Sequence, residues 1–122
     1  MERPINVLVV EDEPLLRMGI VDHLEDEGFV VLEAGNAHQA IALLERSPDL
    51  TVVFTDVDMP GGMGGIELAN IVRQRWPHIK LAVTSGFRLV GNEELPHGSL
   101  FFPKPYDPPA IARALRKLVA KS

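Results

Sequence analysis

Asp56 is the residue whose type and position point most directly to chemistry. It follows an apolar run, Val52 to Phe54, with only Thr55 between them. A carboxylate at the end of a buried strand costs free energy unless it has a task there. Aspartate can attack phosphorus and form an acyl phosphate. We therefore predict that Asp56 is a nucleophile that accepts a phosphoryl group.

Other polar residues follow the remaining apolar runs of the chain. An acidic triplet, residues 11–13, follows the first run, Ser85 follows Thr84 at the end of the fourth, and Lys104 follows the fifth. Crowded carboxylates repel one another, which is relieved by a raised pKa or a bound cation. Oxygen ligands without a nearby histidine favour Mg²⁺ over a full Ca²⁺ cage. Lys104 and Ser85 would then neutralise and hydrogen-bond the transferred phosphoryl group.

The pattern of apolar residues predicts the elements that must position these side chains. Strands are predicted over residues 5–10, 29–32, 50–55, 80–84 and 100–102, and helices after Glu13, Asn36, Gly65 and Asp107. Segment 87–98 is rich in glycine and proline, so it predicts at most a short or degenerate fourth helix. Alternating strands and helices favour a parallel sheet with helices on both faces. Five strands predict an α/β, flavodoxin-like, doubly wound sheet of order 2-1-3-4-5.

This topology brings the candidate residues together. In such sheets, ligands bind beyond the carboxyl ends of the strands, where the strand order reverses between the first and third strands. The acidic triplet, Asp56, Ser85 and Lys104 all fall at that edge. Taken singly, each has a simpler explanation, such as an acidic helix start or a turn residue. Their joint placement favours the functional interpretation.

Composition excludes several classes of protein. The chain has 122 residues, of which 46% are hydrophobic and 24% charged, which predicts one domain over residues 1–122. The absence of cysteine excludes disulfides and thiolate chemistry. A net charge of −5 argues against direct nucleic-acid binding. No apolar run is long enough for a membrane span and no signal peptide is evident, so we expect a cytoplasmic protein.

Four motifs in order resemble the receiver domain of bacterial two-component response regulators. They are residues 7–14, Asp56 followed by Met59 and Pro60, the hydroxyls at 84–85, and Phe102 to Pro105. The resemblance covers the whole chain. It implies a phosphorelay in which a histidine kinase or histidine phosphotransfer protein phosphorylates Asp56 with Mg²⁺, and a downstream protein responds. It also implies a signalling switch that assists its own phosphorylation and dephosphorylation without turning over external substrates.

The resemblance assigns the metal ligands residue by residue. It implies that Asp12 and Asp56 bind Mg²⁺ directly, that Glu11 acts largely through water, and that Asp58 offers its backbone carbonyl. Asp56 would therefore be both phosphoacceptor and ligand.

The resemblance also assigns the switch. Ser85 would be the switch hydroxyl, preferred to Thr84 because it fits the family's spacing once one extra residue in the 61–65 loop is allowed. Lys104 would pair with the phosphoryl group, and Phe101 falls at the position of the family's aromatic switch. The Lys104–Pro105 bond is expected to be cis, a conformation accessible to proline.

The chain departs from the family pattern in three places. The loop over residues 60–65 is longer and richer in glycine, the segment 87–98 is poor material for a helix, and the sequence ends after its last helix. The protein is therefore expected to be a stand-alone receiver or a part of a larger protein such as a hybrid kinase, and a homodimer is possible. Because the fourth helix is weak, signalling output is expected to depend more on the basic last helix.

Three alternatives stay open at this point. A phosphohydrolase of the haloacid-dehalogenase type also uses an Asp-x-Asp pattern, as in Asp56 to Asp58, but normally on its first strand. An FMN-binding flavodoxin shares the topology, yet the acidic triplet would repel phosphate. A phosphorylation-independent interaction module would need none of these side chains. Steady turnover of a phosphate ester would favour the hydrolase, whereas stoichiometric, base-labile phosphorylation would favour the receiver.

Overall fold

The computed structural model describes residues 3–59, 61–86 and 94–120. Its strands are β1 (Asn6–Val10), β2 (Val30–Ala34), β3 (Val52–Asp56), β4 (Lys80–Ser85) and β5 (Leu100–Pro103). The α-helices in this part of the chain are α1 (Pro14–Asp26), α2 (Ala37–Arg46), α3 (Gly65–Arg75) and α4 (Pro108–Ala120). The strands pair in parallel in the order β2-β1-β3-β4-β5, which confirms the predicted fold class and strand order.

The segment predicted to hold a short fourth helix is only partly described. Residues 87–93 lie outside the described ranges, so the prediction is not decided there. Residues 94–98 contain neither an α-helix nor a strand. Consequently the helix expected to be the fifth from the sequence is α4 here.

Both faces of the sheet are buried, because side chains of successive strand residues point to opposite sides. On one face, Leu8, Val53 and Leu81 pack with the apolar sides of α2 and α3. On the other face, alternate residues of the same strands pack with α1 and α4. Double coverage explains why the central strands are continuous apolar runs instead of alternating patterns.

Local signals position two of the helices. Pro14 begins α1, where its missing N–H is not needed. The Oδ1 of Asn36 accepts a hydrogen bond from the Gln39 N–H at 2.8 Å, as predicted for the start of α2. The Gln39 side chain bonds the N–H of Gly35 instead of that of Asn36, so the predicted capping box forms in a shifted version. None of the helices in the described ranges is both long and apolar enough to cross a membrane.

Candidate functional site

The candidate site lies at the carboxyl ends of β1, β3, β4 and β5. Asp56 is the last residue of β3 and is 3% exposed. Its Oδ2 lies 2.9 Å from Lys104 Nζ, and its Oδ1 accepts a hydrogen bond from the Asp58 N–H at 3.0 Å. Both carboxylate oxygens are thus held in place, and the sequence prediction that Asp56 and Lys104 converge is confirmed.

Glu11 shares the lysine with Asp56. Its Oε1 lies 3.2 Å from Lys104 Nζ, and its Oε2 accepts a hydrogen bond from the Glu13 N–H at 3.1 Å. Burial raises the pKa of Glu11 to about 7, and the negative charge of Asp56 acts in the same direction. Burial alone would lower the pKa of Lys104, but its contacts with Asp56 and Glu11 raise that pKa overall.

The acidic residues form a compact oxygen cluster. Glu11, Asp12 and Asp56 each offer one carboxylate oxygen, and these atoms lie within 4.8 Å of one another. The cluster lines an open cleft that Asp58, Gly86 and other residues of the strand ends complete. Several carboxylate oxygens around an open cleft, with room for water, are a donor set that suits Mg²⁺. The residues present therefore fit this ion.

The two candidate switch hydroxyls differ in their surroundings. Ser85 Oγ donates a hydrogen bond to Asp58 Oδ2 at 2.5 Å. Thr84 lies beside Asp56 across the β3–β4 pair, and its buried Oγ1 has no hydrogen-bond partner among the described residues. Ser85 is therefore the hydroxyl that already takes part in the hydrogen-bond network of the cleft.

Comparison with known proteins decides the family. Residues 7–116 match the response regulator receiver domain. The chain belongs to this family. It is 33% identical over 119 residues to the sensor kinase CckA of Brucella abortus, and 33% identical over 118 residues to the response regulator FleR of Pseudomonas aeruginosa. Each match covers 94% of this chain but only 12% and 24% of the respective relative, so the chain spans a quarter or less of their length.

Solved receiver structures share the same architecture. The receiver domain of the hybrid histidine kinase CckA is 28% identical, with a TM-score of 0.79 over 93% of this chain and 98% of that chain. A CheY-like receiver from Methanospirillum hungatei gives a TM-score of 0.87 at 20% identity, covering 98% of this chain and 96% of the other, which supports the fold alone. The chain is thus a receiver domain of two-component, phosphorylation-dependent signalling, a signalling family and not a catalytic one. These comparisons give no support to the hydrolase.

Two further expectations from the sequence concern β5 and the peptide bond that follows it. The Lys104–Pro105 peptide bond is cis, as expected. Phe101 is half-buried and packs against the core on the α2–α3 face, on the side of the sheet where Leu95 and Met63 also pack. The aromatic-switch assignment concerns a movement of Phe101 and stays a proposal.

A close approach of two backbones explains one of the loop glycines. Gly65 begins α3 directly against the end of β3, and a Cβ added there would lie 2.0 Å from the Asp56 carbonyl oxygen. At Gly64 the same added atom would lie 3.5 Å from the Val57 oxygen, which is ordinary contact. Among the glycines of this loop, Gly61, Gly62, Gly64 and Gly65, packing against the end of β3 therefore requires only Gly65. Gly61 and Gly62 have φ angles of 80° and 127°, which other residues adopt rarely.

Sequence reasoning missed Arg17. From the first turns of α1 its Nη1 donates to the Glu11 carbonyl oxygen at 2.7 Å, and its Nε lies 3.0 Å from Glu33 Oε1. The side chain therefore ties the start of the acidic loop to β2. The available signal was its position, because a cation near a helix N-terminus opposes the helix dipole and indicates a tertiary contact.

Sequence reasoning also gave Asp58 only a backbone role. The structure adds the side chain, whose carboxylate accepts the Ser85 hydroxyl. The pairing joins the loop after β3 to the end of β4. No spacing rule in the sequence indicates it, because it depends on how the two ends of neighbouring strands face each other.

Proposed function

We propose that Asp56 of this receiver accepts a phosphoryl group from a phosphohistidine and that the modification changes a protein-binding surface. The observation that carries the proposal is the pairing of a nearly fully buried Asp56 carboxylate with Lys104 at 2.9 Å, beside an acidic cluster in an open cleft. A phosphoacceptor requires a carboxylate that is paired with a cationic side chain and that a donor can reach through an open cleft.

The transfer is a direct displacement at phosphorus. One oxygen of Asp56 bonds to the phosphorus, the bond between phosphorus and the donor histidine nitrogen breaks, and the electron pair of that bond stays on the imidazole. Lys104 then pairs with a phosphoryl oxygen in place of the carboxylate. Such transfers depend on positioning and charge neutralisation more than on covalent help.

The acidic cluster would hold Mg²⁺. Asp12 and Asp56 would bind through carboxylate oxygens, Glu11 through water, and Asp58 through its backbone carbonyl. When bound, the ion would neutralise the charge on the phosphoryl oxygens. The donor chemistry of the cluster supports this assignment, since all its ligands are oxygens.

The switch would begin at Ser85. Its hydroxyl would move towards a phosphoryl oxygen, and Phe101 would follow towards the space left behind. The change is a shift between two populations, limited by the contacts that the phosphoryl group makes in only one of them. We propose the exposed basic side of α4, with Arg113, Arg116 and Lys117, as part of the surface that an unidentified downstream protein contacts.

The donor would dock on α1 beside the cleft. Leu15 and Met18 are 78% and 57% exposed, whereas Leu16 between them lines the cleft. Large exposed apolar side chains next to a reactive group are a recognised mark of a protein contact. Receiver domains interact with histidine kinases and phosphotransfer proteins, and we propose that one of these covers this surface. A cytoplasmic location, a single domain over residues 1–122 and a possible homodimer stay predictions from the sequence.

Beryllofluoride with Mg²⁺ tests the phosphoacceptor. It should be titrated into the wild type and Asp56→Asn and followed by NMR. We expect the wild type to bind and to shift resonances over residues 84–104, and Asp56→Asn to remain unchanged. Incubation with a small-molecule phosphodonor should give one acid-stable, base-labile phosphoryl group in the wild type only. Equal responses of the two proteins would contradict the assignment of Asp56, and an unchanged 84–104 region would contradict the switch.

A further inference from the structure

The hydroxyl that the switch needs is already engaged. Ser85 Oγ donates to Asp58 Oδ2 at 2.5 Å, and Ser85 is buried. The backbone N–H of Asp58 also donates to Asp56 Oδ1 at 3.0 Å. Asp58 therefore links the phosphoacceptor, through its backbone, to the switch hydroxyl, through its side chain.

This hydrogen bond is of a strong kind. A hydroxyl that donates to an ionised carboxylate makes a short, charge-assisted bond, and the observed distance lies in the range typical of such bonds. A serine hydroxyl has only one proton to donate. It cannot serve the Asp58 carboxylate and a phosphoryl oxygen on Asp56 at the same time.

We propose that the Asp58 carboxylate competes with the phosphoryl group for the Ser85 hydroxyl and so holds this receiver in its inactive arrangement. Asp58 is then a positioning residue that acts through Ser85, a role separate from the one that its backbone carbonyl would have towards Mg²⁺. The inference rests on the proposed phosphorylation of Asp56. A ligand shifts an equilibrium only by the difference between its contacts in the two states. Because the switch must break the hydrogen bond between Ser85 and Asp58, phosphorylation favours the active state by a smaller free energy than it would without that bond.

A simpler electrostatic effect has to be separated from this competition. The Asp58 carboxylate adds negative charge to a cleft that already holds Glu11, Asp12 and Asp56, and it would repel a phosphoryl group even without contacting Ser85. The competition predicts that the effect of Asp58 depends on the Ser85 hydroxyl, whereas repulsion predicts that it does not. A double-mutant cycle measures this difference.

The cycle uses the wild type, Asp58→Ala, Ser85→Ala and the double variant. Each is titrated with beryllofluoride at a Mg²⁺ concentration shown to saturate that variant, and the apparent Kd is read by NMR. We expect Asp58→Ala to tighten binding about tenfold, the scale of one hydrogen bond to a charged group. In the Ser85→Ala background the same change should alter the Kd less than about twofold. Asp58→Asn, which keeps an uncharged acceptor, should fall between the wild type and Asp58→Ala.

Each outcome decides the proposal. An equal gain in both backgrounds would show repulsion alone, and an unchanged or weaker Kd in Asp58→Ala would also overturn the competition. A second readout needs no phosphoryl analogue: in the metal-free protein, Asp58→Ala should shift the Cβ resonance of Ser85, and an unmoved resonance would rule out the contact. If the wild type does not bind beryllofluoride, or if Asp56→Asn binds it, the proposed function itself fails, whatever the Ser85 resonance shows.

Discussion

The two ends of the sheet use ion pairs in opposite ways. At the carboxyl end, Glu11 and Asp56 are almost completely buried and both pair with the Lys104 ammonium. At the amino end, Arg116 of α4 bonds both the side chain and the carbonyl oxygen of Glu27 at 2.7 Å, and its guanidinium lies over the ring of Phe29. The pair at the amino end is much more exposed to water.

The pKa shifts of the glutamates at the two ends have opposite directions. Burial raises the pKa of Glu11, so the charged form is disfavoured by folding. The hydrogen bond from Arg116 lowers the pKa of Glu27, with a further contribution from His23. The amino end therefore favours the folded state through its charges, whereas the carboxyl end holds charges that folding opposes. Excess negative charge is what a cation site needs, and perturbed carboxylates cluster at functional sites, so this unfavourable arrangement is expected of a binding site rather than of a stabilising ion pair.

The largest predicted effect comes from the backbone at the carboxyl end. Gly65→Ala should lower the free energy of unfolding by more than about 3 kcal/mol, because its Cβ would meet the Asp56 carbonyl oxygen at 2.0 Å and neither backbone can move freely. Urea denaturation followed by circular dichroism measures the change.

Gly64→Ala is the matched control. Its Cβ makes only ordinary contact and its φ of −86° suits alanine, so the loss should stay below about 1 kcal/mol. Similar losses in the two variants would contradict the close approach. A Gly65→Ala protein that remains folded should also bind beryllofluoride more weakly, because the Asp56 backbone would be displaced.

These glycines illustrate what the sequence could and could not predict. Strand order and the meeting of Asp56 with Lys104 followed from the sequence, because carboxyl ends of parallel strands share one edge. The sequence could not distinguish Gly65 from the other glycines of the loop, since only the start of α3 decides which one touches β3. The contacts of Arg17 and of the Asp58 side chain depend on side-chain rotamers and on how separate loops are oriented towards each other. The hydrophobic periodicity of the sequence determines neither.

Stability should respond to pH through Glu11 at the carboxyl end. The pKa of Glu11 in the folded protein, about 7, lies above its ordinary value of 4.5. Between these values the folded state binds a proton that the unfolded state has lost, so stability falls as pH rises. In metal-free protein we expect this group to contribute a fall of about 2–3 kcal/mol between pH 4.5 and 7, measured by urea titrations across that range.

Two variants test which groups cause this pH dependence of stability. Glu11→Gln should remove the fall, and Asp56→Asn should reduce it, because the negative charge of Asp56 is one of the causes of the raised pKa. Glu27 provides the opposite case: its lowered pKa favours the folded state at neutral pH, and that contribution should disappear as the pH falls. If the free energy of unfolding varied with pH in the same way in the wild type and in Glu11→Gln, the proposed difference between the two ends would be contradicted.

A smaller effect is expected at the amino end. Arg116→Ala should lower the free energy of unfolding by about 1 kcal/mol, because it loses the cation–π contact with Phe29 and partly exposed hydrogen bonds to Glu27. Arg116→Lys keeps the charge but not the paired geometry and should recover only part of the loss. Arg116 also belongs to the basic side of α4 that we propose as an output surface. A changed beryllofluoride affinity in either variant would therefore show that the two ends are coupled, and an unchanged affinity would show that the contact with Glu27 acts on stability alone.

The smallest predicted effect concerns Tyr106, close to the carboxyl end. Its ring packs edge-on against Phe54 at 5.5 Å, whereas its buried hydroxyl has no hydrogen-bond partner among the described residues. Burial raises the pKa of Tyr106, and the charges of Glu11 and Asp56 add to that shift. The hydroxyl is therefore neutral and unsatisfied, which is another feature of this end that folding opposes.

Tyr106→Phe should leave the free energy of unfolding unchanged or raise it by less than about 1 kcal/mol, because it removes only the unsatisfied group. Tyr106→Leu, which loses the aromatic contact, should be less stable than Tyr106→Phe. Urea denaturation of the three proteins at one pH measures both differences. A clear loss of stability in Tyr106→Phe would mean that the hydroxyl has a partner, such as a buried water, and that the carboxyl end is better satisfied than its protein contacts indicate.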